Sequence, residues 1–355
     1  MAISLLTAIY CMPVFASKYY VVERAGGSLG VISHGRLTGS IKNIGNGTHV
    51  IVYFGNRYGY AISRNGYLSK IDPATGKIVL QKKISKDTVD FCLSKNLIAV
   101  ADYKPKNIVI LNKEFKILKT IYTGSRNIGV EFYKNYIIFE LMDKNQIWVV
   151  NLNNFKIIKK VRQIGKFPID ALVSGHDYIA AFLIGQKFGV LNLKNFKYRI
   201  VDYGEKGSFP RQIPHYGIYS IFNGGAYIPA VGEKKIVVVS LKTEREIRSV
   251  NLIGYPIFII FSPNRKTIAV NYSGSADNYL TLIDIDAKGL KVIKNIKAGR
   301  RIMFMAFSGN SRLIYASDYF GNSVNVFNAH TGKEVAVIPV RSPSGIFRVP
   351  YKLDK

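Results

Sequence analysis

The chain has 355 residues, of which 50 are Lys or Arg and 22 are Asp or Glu, so its formal net charge at pH 7 is +28. With only two cysteines and no CxxC pair, the sequence excludes a disulfide-stabilised scaffold and a CxxC metal site. The charge predicts an anionic partner. Nucleic acid is not expected, because the lysines are spread along the chain and no RNA-binding aromatic signature or helix-turn-helix motif is present.

Residues 1–16 form a candidate export signal. Ala2–Tyr10 is apolar, and Val14–Ala16 is a small-residue cleavage pattern. The apolar stretch is shorter than the roughly 20 residues of a membrane-spanning helix. We expect cleavage before Ser17 and a periplasmic protein without an integral membrane segment. A cytoplasmic protein with an apolar tail is the alternative, because no Lys or Arg precedes Lys18.

A short phrase recurs along the rest of the chain: a β-branched run that ends in a polar residue, a polar corner, and a second apolar run. The phrase is clear in LSKIDPATGKIV from Leu68 and in VNVFNAHTGKEV from Val324. Its polar markers, about 40 residues apart, are Ser33, Asp72, Asn112, Asn151, Asn192, Ser240, Asp284 and Asn328. This period, built from several short strands, is typical of a β-propeller in which each repeat is one four-stranded blade.

One repeat shows the strands of a blade. Between Pro256 and Ile296, four apolar runs of strand length are separated by the turn signals SPNRK, GSADN and DAKG. No capped stretch of helical periodicity competes with them. We therefore predict an all-β fold in which residues 17–355 form a single eight-bladed β-propeller. The ring should close by pairing of the first strand, Tyr19–Glu23, with the last, Gly345–Val349, because closure removes exposed sheet edges.

Propeller geometry predicts where a ligand binds. The start of each innermost strand and the loop between the second and third strands lie on one face, over the central channel. The residues at these positions suit a planar, apolar ligand with several carboxylates, because Arg binds carboxylates and stacks on rings. The predicted binding residues are His49, Arg64, Tyr103, Arg126, Arg211, His215, Asn271, Tyr272 and Arg301. Each also has a structural explanation, such as a hydrogen-bonded core histidine or a rim charge.

Other cofactor motifs are absent from the sequence. No GxGxxG opens a helix, and no GxSxG elbow, HExxH motif or EF-hand loop is present. A flavin or nicotinamide cofactor is therefore not expected. Cys92 is interpreted as a small buried apolar residue.

The motifs resemble a known family. Residues 48–72, THVIVYFGNRYGYAISRNGYLSKID, resemble the opening of the haem d1 propeller of cytochrome cd1 nitrite reductase, although Asn65 stands where that family has Asp. LIAVADYKP, QIWVVNL, KFPIDAL, QIPHYG, YIPAVG, GYPIFII and SPSGIF, in that order, are similar to the NirF family of eight-bladed propellers required for haem d1 biosynthesis. The resemblance covers nearly the whole chain after residue 16. The absence of CxxCH indicates a biosynthetic relative and not the reductase.

The resemblance implies roles for individual residues. His49 matches the axial ligand of the haem iron, and Arg64 matches the arginine that faces the carboxylates of the macrocycle. His215 matches a histidine on the other face of the ring. The implied catalytic residues are His215 and the carboxylates Asp143 and Asp170, which would transfer protons.

The resemblance also implies the function. We expect a late step of haem d1 biosynthesis, in which the protein binds haem d1 or its didecarboxysirohaem-derived precursor and modifies it by an oxidoreductase-type reaction. Expected partners are other haem d1 biosynthesis proteins, the cd1 nitrite reductase and a second copy of the chain. Three alternatives stay open: a non-catalytic carrier that delivers haem d1 to the reductase, a WD40-like or surface-layer-like interaction scaffold, and a hydrolase or lyase with paired carboxylates.

Overall fold

The computed structural model describes residues 17–185, 187–203, 220–286 and 289–350. These residues form eight four-stranded antiparallel sheets. Their only helical segments are two short 3-10 turns, Val231–Glu233 and Gly274–Ala276. None of the described residues belongs to a helix with the length and apolar character of a membrane span. The predicted all-β eight-bladed propeller is confirmed, whereas the export signal proposed for residues 1–16 lies outside the described residues.

The strands are grouped in blades, which we number in chain order. Blade 1 contains β1 (Lys18–Glu23), β2 (Ser28–Ser33), β3 (Arg36–Ile41) and the last strand, β32 (Pro343–Val349). Blades 2 and 3 contain β4 (Val50–Phe54), β5 (Gly59–Ser63), β6 (Tyr67–Asp72), β7 (Lys77–Lys83), β8 (Asp87–Leu93), β9 (Leu97–Lys104), β10 (Asn107–Asn112) and β11 (Ile117–Tyr122). Blades 4 and 5 contain β12 (Asn127–Tyr133), β13 (Tyr136–Leu141), β14 (Gln146–Asn151), β15 (Ile157–Arg162), β16 (Lys166–Ser174), β17 (Asp177–Ile184), β18 (Lys187–Asn192) and β19 (Tyr198–Asp202). Blades 6, 7 and 8 contain β20 (Ser220–Phe222), β21 (Gly225–Ala230), β22 (Lys235–Ser240), β23 (Glu246–Asn251), β24 (Tyr255–Phe261), β25 (Thr267–Ser273), β26 (Tyr279–Ile285), β27 (Leu290–Lys297), β28 (Ile302–Phe307), β29 (Leu313–Asp318), β30 (Ser323–Asn328) and β31 (Glu334–Pro339).

The ring closes as the sequence predicts. β32 pairs with β1 in antiparallel fashion, with Tyr20 opposite Phe347 and Val21 opposite Ile346. The last strand is therefore the innermost strand of blade 1, and β1 to β3 are its outer three strands. This arrangement leaves no gap between the first and last blades.

The repeating polar markers end the third strand in seven of the eight blades, and Asp284 is the penultimate residue of that strand in blade 7, for a physical reason. The side-chain oxygen of Asp72 accepts a hydrogen bond from the N–H two residues on (2.8 Å), as do those of Asn151 (2.8 Å), Asn192 (3.0 Å) and Asn328 (2.9 Å). This is the turn that Asp and Asn favour, because their short side chains satisfy backbone donors locally. The repeat seen in the sequence is thus a repeat of one turn chemistry.

Eight hydrophobic clusters fill the interfaces between consecutive blades. Between blades 8 and 1, for example, Tyr19 and Val21 pack with Tyr315 and Val326. Cys92 lies in the cluster between blades 3 and 4, as its interpretation as a buried apolar residue predicts. In a ring of eight, each blade faces the fourth blade further along, so blades 3, 4 and 5 face blades 7, 8 and 1 across the channel.

Most innermost strands are irregular near their middle. The register shifts between Thr88 and Asp90 in β8, and between Pro168 and Asp170 in β16. A bulge bends its strand and redirects the neighbouring side chains. Simple alternation along the sequence therefore does not decide which side chains enter the channel.

Candidate functional site

At the predicted ligand-binding face, the starts of the innermost strands meet the loops between the second and third strands. The Thr88 N–H, in the innermost strand of blade 3, donates to the carbonyl of Arg64 in a loop of blade 2 (2.9 Å). The Tyr319 N–H, in a loop of blade 8, donates to the carbonyl of Arg301, which precedes the innermost strand of that blade (2.9 Å). These bonds fix the loops around one end of the channel, which we call the mouth.

Four residues from blades 2 to 5 form an arginine–aromatic group at the mouth, here called the first rim cluster: Arg64, Tyr103, Arg126 and Phe167. The guanidinium carbons of Arg64 and Arg126 lie 5.2 and 5.7 Å from the ring centre of Tyr103. Arg126 also lies 5.3 Å from the ring centre of Phe167. These distances permit cation–π attraction. The structure thus brings Arg64, Tyr103 and Arg126 together as the sequence predicts, while their contact with a ligand stays a prediction.

Acidic partners orient both arginines of this cluster. Arg64 Nε lies 2.6 Å from Asp87, and Arg126 Nη2 lies 2.7 Å from Asp143. Lys106 adds a contact of 3.2 Å to Asp143. Burial disfavours ionisation of Asp143, but hydrogen bonds from Arg126 and Lys106 outweigh it and lower the pKa to about 2. Asp143 is therefore ionised at neutral pH and positions Arg126, which disfavours its predicted role in proton transfer.

A second rim cluster lies on blades 8 and 1 and consists of Arg24, Arg301, Tyr319 and Phe320. Arg24 lies 5.7 Å from the ring centre of Tyr319, and Arg301 lies 5.7 Å from that of Phe320. The two rings are 5.1 Å apart. Asp318 holds the loop, because its Oδ1 accepts the N–H of Arg301 at 3.0 Å. The predicted residue Arg301 thus lies on the opposite side of the channel from Arg126.

A third pair of the same kind completes the described rim. Lys234, in the loop of blade 6, lies 4.9 Å from the ring centre of Tyr255, at the start of β24. Cationic and aromatic side chains therefore lie side by side at three places around the described part of the mouth. Such a rim can bind carboxylates through its cations and a flat apolar ring through its aromatic residues.

The predicted iron ligand His49 lies half-buried just before β4. Its Nε2 is 2.8 Å from the carbonyl oxygen of Val89, the extra residue in the bulge of β8. A carbonyl only accepts, so Nε2 carries the proton in this contact. No cluster of three or more potential metal ligands occurs among the described residues. Binding of His49 to an iron through Nε2 would therefore replace the bond to Val89.

Other predicted residues are placed differently. Arg211 and His215 lie in 204–219, outside the described residues. Asn271 is fully buried, accepts the Phe258 N–H at 3.0 Å and donates to the carbonyl of Ile302 at 3.0 Å. Tyr272 is also buried, and its hydroxyl contacts Thr281. Their polar groups bind within and between blades 7 and 8, and contact of these two residues with a ligand stays a prediction.

Asp170, the second predicted proton-transfer residue, lies on the innermost strand β16 inside the channel. Burial raises its pKa to about 7, although the Ala171 N–H, 2.8 Å from Oδ1, favours ionisation. The pKa of Glu131 is also raised to about 7, mainly by burial and to a smaller extent by the nearby charge of Asp170. Asp170 therefore has the proton affinity that acid–base catalysis near neutral pH requires, whereas Asp143 does not.

Several residues of the site were not predicted. Arg24 and Phe320 belong to the rim, and Glu131 and Glu140 join Asp170 in the channel. Arg24 could have been predicted, because it directly follows the second strand of a blade, where the loops reach the mouth. Glu140 begins the segment 140–145, which the sequence places among the loops of the mouth, but no role was assigned to it. Nothing in the sequence pointed to Glu131, because an acidic residue within an apolar strand is usually assigned to a solvated face.

Residues 16–352 match the family model described as the cytochrome D1 heme domain. The chain is 26% identical over 353 residues to a protein named NirF from Pseudomonas aeruginosa, covering 92% of this chain and 90% of the relative. It is 28% identical over 375 residues to NirF from Stutzerimonas stutzeri, covering 98% and 95%. These matches confirm the resemblance stated from the sequence motifs.

Solved structures share the fold. The structure titled dihydro-heme d1 dehydrogenase NirN in complex with DHE superposes with a TM-score of 0.76 at 17% identity, covering 98% of this chain and 78% of that one. Apo AztD from Citrobacter koseri superposes with a TM-score of 0.70 at 16% identity, covering 95% and 98%. With a family match over nearly its whole length and this fold, the chain belongs to the cytochrome D1 heme domain family.

Proposed function

We propose that this protein acts in a late step of haem d1 biosynthesis and binds a carboxylate-rich tetrapyrrole, haem d1 or its didecarboxysirohaem-derived precursor, over the mouth. Its family and its NirF relatives support a role in making or handling haem d1. The structural neighbour NirN was solved in complex with DHE, which supports a ligand of this class. The observation that carries the proposal is the pair of arginine–aromatic rim clusters on opposite sides of the channel.

The residues of the mouth fit the chemistry of such a ligand. Arg64, Arg126 and Arg301 would hold the carboxylates, and charge-assisted hydrogen bonds of this kind contribute about 1.5 to 3 kcal/mol each. Tyr103 and Phe320 would contact the macrocycle. His49 is the residue of the described mouth that could ligate the iron, once it leaves the Val89 carbonyl. A bound iron tetrapyrrole would supply a redox centre.

One observation favours chemistry over simple carriage of the ligand. Asp170 is held in the channel with a pKa of about 7, so at neutral pH it is divided between its acid and its base form. Its position on the innermost strand, below the mouth, would let it exchange this proton with a bound ligand. We therefore place a modification of the ring or side chains of the ligand first, with proton transfer by Asp170, and delivery of haem d1 to the reductase second.

The cellular location and partners are part of the same proposal. The apolar segment at residues 1–16 supports export to the periplasm with cleavage before Ser17. The partners would be other haem d1 biosynthesis proteins and the cd1 nitrite reductase. N-terminal sequencing of the protein from a periplasmic extract tests the cleavage, and an uncleaved cytoplasmic protein would contradict it.

The binding proposal is tested by visible-absorption titration of the protein with haem d1 and with didecarboxysirohaem. We expect a Soret shift that saturates near one equivalent with at least one of the two. The His49→Ala variant should change the spectrum of the complex if His49 is the iron ligand. No shift with either ligand would refute tetrapyrrole binding, whereas an unchanged spectrum in His49→Ala would refute only the iron-ligand assignment.

A further inference from the structure

Four carboxyl groups lie near one another in the channel below the mouth, although they do not form a cluster that could hold a metal ion. They come from three consecutive blades and are Asp90 (β8), Glu131 (β12), Glu140 (β13) and Asp170 (β16). Acidic residues are scarce in this chain, which has 22 against 50 basic residues. Their concentration at one place therefore runs against the overall charge of the protein.

The depth of these groups follows from strand geometry. Asp90 is three residues beyond Asp87, and Asp170 is three residues beyond Phe167, both of which belong to the mouth. A regular strand advances about 3.3 Å per residue, and both strands bulge here, so both carboxyls lie at most about 10 Å below the mouth. They are the members of the group that are nearest to a ligand bound there.

The backbone around Gly129 connects the group. The Val130 N–H lies 3.0 Å from Asp90 Oδ2. Gly129 has a φ of +60°, and a Cβ placed there would lie 3.0 Å from Glu140 Oε2 and 2.9 Å from the Tyr178 hydroxyl. That hydroxyl donates to the Gly129 carbonyl at 2.5 Å. Glycine at this position therefore makes room for the Glu140 carboxyl directly beside the residue that binds Asp90.

Glu140 points into this group without a partner. Its side chain is fully buried, and neither carboxyl oxygen has a hydrogen-bond partner within the described ranges. No Lys, Arg or His in those ranges forms an ion pair with any of the four carboxyls. An ionised carboxylate that is buried and unpaired is far less stable than its protonated form. The group is therefore built to hold protons.

The described side chains around the group are mostly uncharged, and the titratable His49 contacts the carbonyl of Val89, the residue next to Asp90. Across the channel, blades 7, 8 and 1 present Phe258, Phe304 and Phe347. The ring centres of Phe258 and Phe304 are 4.9 Å apart, and those of Phe304 and Phe347 are 6.2 Å apart. The titratable side chains that face the four carboxyls from the neighbouring strands are Tyr53, Cys92, Tyr103, Tyr178 and Tyr198. All of these are uncharged at neutral pH, so they do not compensate ionised carboxylates.

We propose that the channel below the mouth is a proton store in which Asp90, Glu131, Glu140 and Asp170 share bound protons. Each transfer moves one proton from a carboxyl O–H of Asp90 or Asp170 to an acceptor at the mouth and leaves a carboxylate. Glu131 or Glu140 then returns a proton to it. Delivery to a tetrapyrrole depends on the proposed function, whereas the store itself is a property of the protein without ligand.

Infrared difference spectroscopy of the full chain, without ligand, tests the store directly, because the C=O stretch of a protonated carboxyl disappears on ionisation. Spectra between about pH 5 and about pH 8 cover the range in which ordinary carboxyls are already ionised. We expect protonated carboxyl bands at neutral pH. Glu140→Gln should remove one band, and Asp170→Asn should remove a band that titrates near neutral pH. Glu334→Gln, at an exposed position of β31, is the matched control and should leave the bands unchanged.

Three results would overturn the proposal: no protonated carboxyl band at neutral pH, bands that neither variant changes, or bands that sodium, potassium, calcium or magnesium ions abolish. The last result would show a metal cation in place of the protons. If Glu140→Gln does not fold, the Asp170→Asn variant and the pH dependence of the wild-type bands still test the proposal. Because no tetrapyrrole is present, the outcome is independent of the binding titration.

Discussion

Replacing Arg126 by Gln removes the guanidinium at the centre of the first rim cluster. Nε and Nη2 of Arg126 lie 2.8 and 2.7 Å from Asp143 Oδ1, and the guanidinium lies over the rings of Tyr103 and Phe167. Asp143 would keep Lys106 at 3.2 Å and the backbone N–H of residue 126 at 2.9 Å. The loop therefore stays anchored, and the change is confined to the mouth.

The affinity for a carboxylate-bearing tetrapyrrole should fall by roughly 10- to 150-fold in Arg126→Gln. One charge-assisted hydrogen bond contributes about 1.5 to 3 kcal/mol, and each 1.4 kcal/mol is about tenfold in affinity. The free energy of unfolding should change by less than about 1 kcal/mol, because the Arg126–Asp143 pair is partly exposed, at 37% and 28%. The variant thus separates binding from stability.

Absorption titration with haem d1, alongside urea unfolding, measures both quantities. Arg36→Gln, at the exposed start of the outermost strand β3, is the matched control with the same loss of charge. We expect Arg36→Gln to bind like the wild type. Equal weakening in the two variants would indicate a general charge effect, and no weakening in Arg126→Gln would refute the assignment of the rim cluster as the binding site.

Three further predictions concern stability. Gly129→Ala should destabilise the fold by about 2 to 4 kcal/mol in urea unfolding, because its φ is +60° and the new Cβ would lie 2.9 Å from that of Ala171; an unchanged midpoint would contradict the packing around Glu140. Burial raises the pKa of Asp102 to about 7 in the folded protein, above its value of about 3.9 in the unfolded chain. Because the folded state then binds more protons, the free energy of unfolding should fall as the pH rises from about 4 to about 7. Asp102→Asn should reduce this slope in urea unfolding across that range, and an unchanged slope would contradict the assignment. Asn328→Ala should cost about 1 to 2 kcal/mol, because the Asn328 side chain accepts two backbone N–H groups in its turn; thermal unfolding equal to the wild type would show that the turn does not need this side chain.

The sequence contained most of the information about the fold because turn chemistry and strand length repeat. Asp72, Asn151 and Asn328 each end a third strand with the same side-chain-to-backbone bond, so the period was visible without any structure. The closing pair of strands was predictable because an unpaired first strand would leave an open edge. The packing between the blades agrees with the strand pattern predicted from the sequence.

The site was only partly predictable. Arg64 and Arg126 could be assigned because chain position alone places strand starts and loops at the mouth. Asn271 and Asp143 could not, because burial and ion pairing depend on neighbouring segments that a single strand does not specify. Glu131 was missed, and Glu140 was given no role, because bulges and packing between blades decide which side chains meet in the channel.

The most direct test of the account is a crystal structure of the protein with haem d1 bound. The account predicts the macrocycle across the mouth, between Tyr103 and Phe320, with its carboxylates on Arg64, Arg126 or Arg301 and its ring above Asp170. A macrocycle bound on the outer strands, at the opposite end of the channel, or at the mouth without contact to these arginines would contradict it.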